Sequence, residues 1–484
     1  MIQIPDINIT TILPEIVIFA TAVVVLIVEL FVKGQKQGVL SFVTLIGIIT
    51  AGYCARNQWY LFEYGFSGAL ITDNFAVIFK LIFMGASLLT LFLSIFYLQR
   101  ENIFRGEYFF FILISTIGMM ILASANELIT AFLGLEVMSV PLYLLAGFDK
   151  KKLLSNEAAL KYFLMGAFAS GILIYGIAFI YGSTGTTNFN GISQALLENN
   201  RLTTDPLLYF GLSLLLIGFG FKTAFVPFHS WVPDVYTGTP TPATAFFSVA
   251  PKAAGFAILF RILFKGFGPI FADLTSILAI LAVLTMSVGN LIAIAQRNIK
   301  RMLAYSSIAH AGYILIALVS GTERGAAAAV FYIIAYTVMN IGAFGFVILL
   351  GRKGEDDLTI NSYSGLAKRF PVTSLGMSLF LLSLAGIPPT AGFMGKFYIF
   401  TSAVSAGYTW LAIVGVINSV ISVYYYLRVI VVMYMKPDAN TQRVVVYPVT
   451  LLIAILISAW GTLQIGIFPN SWFNLVKDSV YALF

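Results

Sequence analysis

The sequence predicts an all-α integral membrane protein, a single polytopic domain over residues 1–484, and three observations carry that prediction. Hydrophobic residues make up 59% of the chain and charged residues 10%, far from the balance that a water-facing surface needs. Apolar runs long enough to cross a hydrocarbon core of about 30 Å recur from one end to the other. Only short polar connections separate them, with no segment that could fold as a soluble domain.

Fourteen spans are read in chain order. The first, 11–32, follows the polar lead MIQIPDINIT, which has neither a basic n-region nor a small-residue cleavage site, so a retained helix is expected rather than a signal peptide. Spans two to four cover 38–55, 74–97 and 107–124; Lys80, in the third, has no obvious local partner. Span five, 127–148, holds Glu136 near its middle. In span six, 158–181, Lys161 stands four residues after Glu157, and an i,i+4 pair at the membrane rim explains it as well as function does. Span seven, 207–237, contains LIGFGFKTAFVPFHSW, with Lys222 ahead of Pro227 and Pro233. Span eight, 240–264, holds Lys252 centrally and Arg261 near its end. Spans nine and ten, 272–295 and 302–319, follow, the latter with His310 near its middle. Span eleven is 324–350. Span twelve, 372–404, carries Pro388, Pro389 and Lys396. Span thirteen, 408–435, has Arg428 close to its end, and span fourteen is 446–468. Arg261 and Arg428 read as cations that snorkel to the interface.

Loop charge sets the expected orientation. Sixteen Lys and Arg residues fall on one side, among them Lys33, Arg105, Lys150, Lys151, Lys152, Lys300 and Arg443, against five on the other: Arg56, Arg201, Lys265, Arg324 and Lys477. The positive-inside rule makes the first side cytoplasmic, with both termini outside. The net charge of +7 then reflects topology and gives no nucleic-acid signal, and the lysine triplet 150–152 is expected at the anionic inner leaflet.

Electron chemistry finds no support. Cys54 is the one cysteine, His229 and His310 are far apart in sequence, and no GxGxxG follows a credible strand, since none is read. No cofactor is expected, and any redox step belongs to partners.

Lys222, Lys252 and Lys396 cannot snorkel, because a lysine near midspan costs roughly 2.5–3.5 kcal/mol even on the gentlest insertion scale. With Glu136 and His310 they make five ionisable groups on five spans at one depth. Each alone has a bland explanation, such as a register-fixing ion pair or a hydrogen-bonded core histidine; together they are the pattern of an ion or proton path. Ser306, His310 and Tyr313 share one helix face, as do Tyr332, Tyr336 and Asn340. Such stripes can hold ordered water or simply join helices by hydrogen bonds.

Proline and glycine mark two discontinuities, VPFHSWVPDVYTGTPTP after Lys222 and LAGIPPTAGFMG before Lys396. Each should unwind its helix, and such breaks at matching places in two halves point to a transport site. Spans seven and twelve are five apart, as are spans five and ten. Two inverted five-helix repeats are therefore expected, spans 4–8 (107–265) and 9–13 (271–435), flanked by 1–106 and 446–484.

KTAFVPFHSWVPDVYTGTPTPATAFFSVAPKAAGF, NIKRMLAYSSIAHAGYI and LAGIPPTAGFMGKFYIF resemble the antiporter-like membrane subunits of respiratory complex I, the proton-pumping NADH:quinone oxidoreductase, and of multisubunit cation/proton antiporters. The resemblance runs from about 107 to 435. Pro14 and Glu15, GKFYIF with Lys396, and the span count are most similar to the N-type subunits; the M-type has a glutamate at the Lys396 position, and the L-type adds a long lateral helix. The resemblance implies that Glu136 is the helix-five glutamate, Lys222 the helix-seven lysine paired with it, Lys252 the helix-eight lysine and Lys396 the helix-twelve lysine, with His310 between the halves. Helix eleven departs by lacking a histidine, so a link from Lys252 to Lys396 relies more on water. The resemblance also implies proton translocation coupled to NADH oxidation and quinone reduction in partners: other complex I membrane subunits, hydrophilic iron-sulfur subunits and membrane lipid. Burial and the Glu136 charge together decide whether Lys222 holds a proton, so the pair can act as a switch. A subunit of a cation/proton antiporter and a purely structural membrane subunit stay open; a quinone-reducing enzyme in its own right lacks any cofactor motif.

Overall fold

The computed structural model describes residues 8–32, 36–354, 358–437 and 445–484; Lys33, Arg443 and the start of the N-terminal lead lie outside the described residues. Among the described residues, thirteen helices are long and apolar enough to cross a membrane. In chain order the helices are α1 (Leu13–Phe31), α2 (Lys36–Asn57), α3 (Asn74–Arg100), α4 (Gly106–Ser124), α5 (Leu128–Ala146), α6 (Leu153–Thr184), α7 (Phe189–Glu198), α8 (Pro206–Thr223), α9 (Trp231–Gly238), α10 (Thr241–Arg261), α11 (Phe271–Ala295), α12 (Ile299–Val319), α13 (Glu323–Leu350), α14 (Leu366–Arg369), α15 (Pro371–Ala385), α16 (Ala391–Ser405), α17 (Thr409–Met435), α18 (Val449–Ile467) and α19 (Pro469–Val480). Span twelve is not one helix but α15 followed by α16, each too short to cross alone, which is why thirteen rather than fourteen helices qualify. One expectation fails outright: strands β1 (Glu63–Gly65) and β2 (Leu70–Thr72) pair as an antiparallel hairpin between α2 and α3.

The burial gradient explains where the polar residues can live. Every residue of α10 is buried, as are nearly all of α12 and α13, whereas α5, α6, α17 and α18 present apolar faces outward. In oil the packing force between helices is close contact rather than water exclusion. Glycine supplies that contact where α4 meets α5: a Cβ on Gly118 would lie 2.2 Å from Met138 N. The same holds where α11 meets α12, with Gly289 against Ala309 N at 2.7 Å.

The snorkelling expectation for Arg261 is overturned, and Lys80 has a partner that the sequence does not show. Arg261 is buried and forms a two-pronged ion pair with Asp73, at 2.9 Å from Nη1 to Oδ2 and 2.6 Å from Nη2 to Oδ1, while its Nε donates to Ala123 O at 2.7 Å. Lys80 is also fully buried and pairs with Glu15 at 2.8 Å, donating as well to Thr11 O at 3.2 Å. Both cations are satisfied by carboxylates distant in sequence, so neither needs to reach the interface. Lys300, expected in a loop, lies buried in the first turn of α12 and donates to Thr239 O at 2.8 Å. Arg428 is half-buried and donates to Ile294 O and Gln296 O at the end of α11. The Lys161–Glu157 pair is present at 2.7 Å, and Asp234 joins it at 3.0 Å.

Candidate functional site

The two discontinuities are built alike. At the end of α8, Phe225 N bonds Gly220 O at 2.8 Å and Ala224 N bonds Phe221 O at 3.2 Å. At the end of α15, Ile387 N bonds Leu382 O and Gly386 N bonds Ser383 O, both at 3.0 Å. Each pair of bonds is the Schellman helix ending, which needs a left-handed residue in the middle. Gly386 takes that conformation at φ 87° without steric cost, and Ala224 at φ 65° with some. The chain beyond each ending contains proline, which has no N–H with which to resume the helix.

A helix that stops inside the protein exposes carbonyls that must be satisfied. At α15 the partner is Lys396, which donates to Leu384 O at 3.1 Å, Ala385 O at 3.0 Å and Ser419 Oγ at 2.9 Å. A cation there also faces the negative end of the helix dipole. At α8 the Trp231 indole donates to Phe221 O at 3.0 Å, and Thr285 Oγ1 of α11 accepts from the loop amide of Val226 at 3.0 Å.

Lys222 occupies the last turn of α8 in an aromatic cage. Its ammonium lies 4.9 Å from the Tyr162 ring centre and 5.1 Å from that of Tyr143, and it donates to the Tyr162 hydroxyl at 3.4 Å. Tyr162 stacks on Trp231 with ring centres 4.5 Å apart. The ring faces stabilise a cation that water cannot reach. Glu136 is half-buried on α5 and accepts from Ser170 Oγ at 2.5 Å. Among the described residues Lys222 makes no ion pair with it, so the pairing implied by the resemblance is not a direct contact in this conformation.

The remaining three predicted residues meet around α12. Lys252 donates to Ser307 O at 2.9 Å and Ser307 Oγ at 2.8 Å. One turn along α10, Gly255 packs against α8: a Cβ there would stand 2.6 Å from Thr223 Cγ2 and 3.9 Å from Lys222 Cβ. His310 shares hydrogen bonds with two tyrosines, Nδ1 with Tyr332 Oη at 2.5 Å and Nε2 with Tyr426 Oη at 3.1 Å. Tyr426 also bonds Ser306 Oγ at 2.5 Å. Tyr313 turns its ring to Lys396 at 4.9 Å, and its hydroxyl accepts from Asn290, which in turn accepts from Tyr425. Lys222, Lys252, His310 and Lys396 are 3%, 5%, 1% and 4% exposed, so all four are shut off from lipid. Asn340, on the predicted α13 stripe, donates to Ser248 at 2.6 Å.

Sequence reasoning missed several partners: Tyr143, Tyr162 and Trp231 around Lys222, Ser307 beside Lys252, and Asn418, Ser419, Ser422, Tyr425 and Tyr426 on α17. The last group had a signal, since positions 418, 422 and 425 or 426 recur at helical spacing in an apolar run. Among the described residues no three His, Cys, Asp or Glu side chains converge as a metal site would require.

This arrangement, a lysine at each of two helix breaks with a buried hydroxyl and imidazole cluster on α12, α13 and α17, fits the class of antiporter-like membrane subunits. Residues 125–422 match the family model described as NADH:quinone oxidoreductase/Mrp antiporter, TM, and the chain belongs to that family. It is 48% identical over 474 residues to NADH-quinone oxidoreductase subunit N of Trichlorobacter lovleyi, covering 98% of this chain and 97% of that one. Identity to subunit N 1 of Herpetosiphon aurantiacus is 41%, over 99% of this chain and 98% of the relative. A chain of respiratory complex I from Thermus thermophilus superposes with a TM-score of 0.80 at 31% identity, covering 96% of this chain and 99% of that chain. A chain of an archaeal membrane-bound sulfane sulfur reductase gives 0.84 at 26% identity, with 97% and 96% covered. A chain of the Mrp complex from Dietzia gives 0.82 at 20%, covering 99% of this chain and 98% of that one, and shares the fold. The chain is a multi-pass membrane protein of the complex I antiporter-like fold.

Proposed function

We propose that this chain is the proton-translocating N-type subunit of an NADH:quinone oxidoreductase. Protons move along Glu136, Lys222, Lys252, His310 and Lys396, driven by NADH oxidation and quinone reduction in partner subunits. The observation that carries the reading is a pair of buried clusters on α12, Lys252 bonded to Ser307 and, from the adjacent residue, Ser306 bonded to Tyr426, which bonds His310, which bonds Tyr332. Both are enclosed, and Lys222 and Lys396 stand at the two helix breaks. Hydroxyl and imidazole groups both donate and accept, so they can pass a proton where an apolar core cannot.

The proton is taken up from the basic, cytoplasmic side, held at the Lys222 and Lys252 region, passed by His310 to Lys396 and released outward. Rearrangement of Glu136 relative to Lys222 supplies the switch. Support for two inverted repeats, α4–α10 and α11–α17, comes from the matched Schellman endings at Ala224 and Gly386. The partners are neighbouring complex I membrane subunits, the hydrophilic iron-sulfur subunits of the same complex and lipid; the membrane is the bacterial plasma membrane, with both termini outside. No redox group of its own is required.

The test replaces Lys222 by Ala in the assembled complex and measures proton uptake into inside-out vesicles at matched complex content. Pumping and coupled NADH:quinone turnover should fall strongly with assembly intact. Undiminished pumping removes the carrier role. Copurification with NADH-oxidising and iron-sulfur subunits separates this reading from a cation/proton antiporter, which would bring antiporter subunits instead.

A further inference from the structure

A groove of about 660 Å³ opens along α3, where α2 and α18 both pack on it. Its two ends differ in chemistry. At one end stand Ser41 in the second turn of α2, Gln99 one residue before the end of α3, and Thr450, the second residue of α18. Away from them the lining is apolar, with Leu45 on α2 and Leu91, Phe92 and Ile95 on α3. The polar end lies on the basic side of the molecule, since Glu101, the residue that follows α3, pairs with Lys152 at 3.6 Å. The stretch of α3 from Gln99 back to Leu91 is about 12 Å long at about 1.5 Å per residue, close to the roughly 15 Å of hydrocarbon in one leaflet.

The polar groups at that end have nothing to bond. Ser41 is 7% exposed, and its hydroxyl has no hydrogen-bond partner among the described residues. A hydroxyl inside an apolar helix commonly returns to the carbonyl one turn back. Thr44 does so to Leu40 O and Thr462 to Ser458 O, both at 2.8 Å, but Ser41 does not. The side chains of Gln99 and Thr450 likewise have no partner among the described residues. Arg100, next along α3, is already taken up by Ile348 O and Gly351 O, both at 2.8 Å, and by Glu101. Val39 and Phe42, 44% and 61% exposed, leave the groove open to the bilayer. Three donors without acceptors, at the depth where the hydrocarbon begins, call for an oxygen-rich group that arrives from the membrane.

We propose that this groove binds a glycerophospholipid of the leaflet on the basic side, with one acyl chain along α3 and its ester and phosphate oxygens accepting from Ser41, Gln99 and Thr450. A transmembrane helix of a partner subunit would match the apolar lining, but its backbone acceptors are already bonded within the helix. A phospholipid brings free acceptor oxygens at the depth where the groove turns polar, and below them a chain that fills the rest. Bound there, it occupies the space between α2 and α18 and ties the α1–α2 pair to the body of the subunit. The site lies apart from the lysine row and carries no proton.

The experiment uses the whole complex, equilibrated with phosphatidylethanolamine that carries a photoreactive diazirine in the middle of one acyl chain. Loosely held lipid is exchanged for unlabelled lipid by repeated washing in detergent. The sample is then irradiated, and adducts are located by peptide mass spectrometry at matched complex content. Adducts should fall within residues 39–45 of α2 or 91–99 of α3. Ile95→Trp, which fills the groove, should lower these adducts several-fold and leave those elsewhere unchanged. Ser41→Ala combined with Gln99→Leu removes two donors while keeping nearly the same bulk, and should lower the groove adducts several-fold as well; it carries the test alone where the tryptophan prevents assembly. Retained lipid with no adduct in the groove overturns the proposal. So do groove adducts in the Ser41→Ala, Gln99→Leu variant equal to those of the parent, or cross-links from these segments to another subunit in place of lipid.

Discussion

Replacing Asp73 by Ala should be among the most destabilising changes in this chain. Asp73 neutralises Arg261 through two bonds of 2.6 and 2.9 Å, and both side chains are all but inaccessible, at 1% and 2%. Removing one partner of such a pair leaves a buried charge uncompensated, at about 3–5 kcal/mol. Arginine cannot shed its proton to escape. Asp73 also caps α3 by accepting from Ala76 N at 2.7 Å, and losing a cap costs about 1 kcal/mol. The total of about 4–6 kcal/mol is comparable to the whole stability of many domains. Arg261→Met combined with Asp73→Ala removes the charge with its partner, so the double variant should recover most of the loss and retain chiefly the capping deficit. The assay is thermal unfolding of the detergent-solubilised complex, following release of this subunit. A double variant as unstable as Asp73→Ala would refute the argument that uncompensated charge, and not lost packing, dominates.

Lys222→Arg should rescue the Lys222→Ala pumping defect poorly, because a guanidinium keeps its proton throughout the working pH range; near-normal uptake in vesicles would show that only a fixed charge is needed. Glu136→Gln should lower pumping and Glu136→Asp should retain part of it, whereas Gln at wild-type level would make the carboxylate structural. Tyr426→Phe keeps the ring but removes the hydroxyl bridging Ser306 and His310, so pumping should drop with assembly unchanged. Loss of assembly with unaltered pumping per complex would assign Tyr426 to packing.

What could be read from the sequence depended on whether a residue's reason to be there was local. Lys222, Lys252, His310 and Lys396 announced themselves because each interrupts an apolar run at a depth where charge is costly. Arg261 interrupts a similar run and reads as a snorkelling cation, and Lys80 reads as unpartnered, since the acids that satisfy them, Asp73 and Glu15, lie on other elements and no periodicity connects them. The break at Gly386 carries its glycine and two prolines openly. The break at Ala224 hides its turning residue, because alanine in the left-handed region has no sequence signature. Tyr425 and Tyr426 were obscured by their run, YYY at 424–426, in which neighbours point in different directions. The β1–β2 hairpin is too short to show alternation.

The central claim is that the buried row acts as one path, and the most direct test is proton uptake into inside-out vesicles for Lys252→Ala, Lys396→Ala and the double replacement, at matched complex content. Each single variant should impair pumping, although the two lysines hydrogen-bond to different helices, α12 for Lys252 and α15 and α17 for Lys396. The double should be little worse than the more damaging single, as for residues that work as a unit. His310→Ala should be milder, because Ser306 and Tyr426 remain to bridge the gap. Multiplicative losses in the double variant, or normal uptake in either single one, would contradict a continuous path and leave two separate sites.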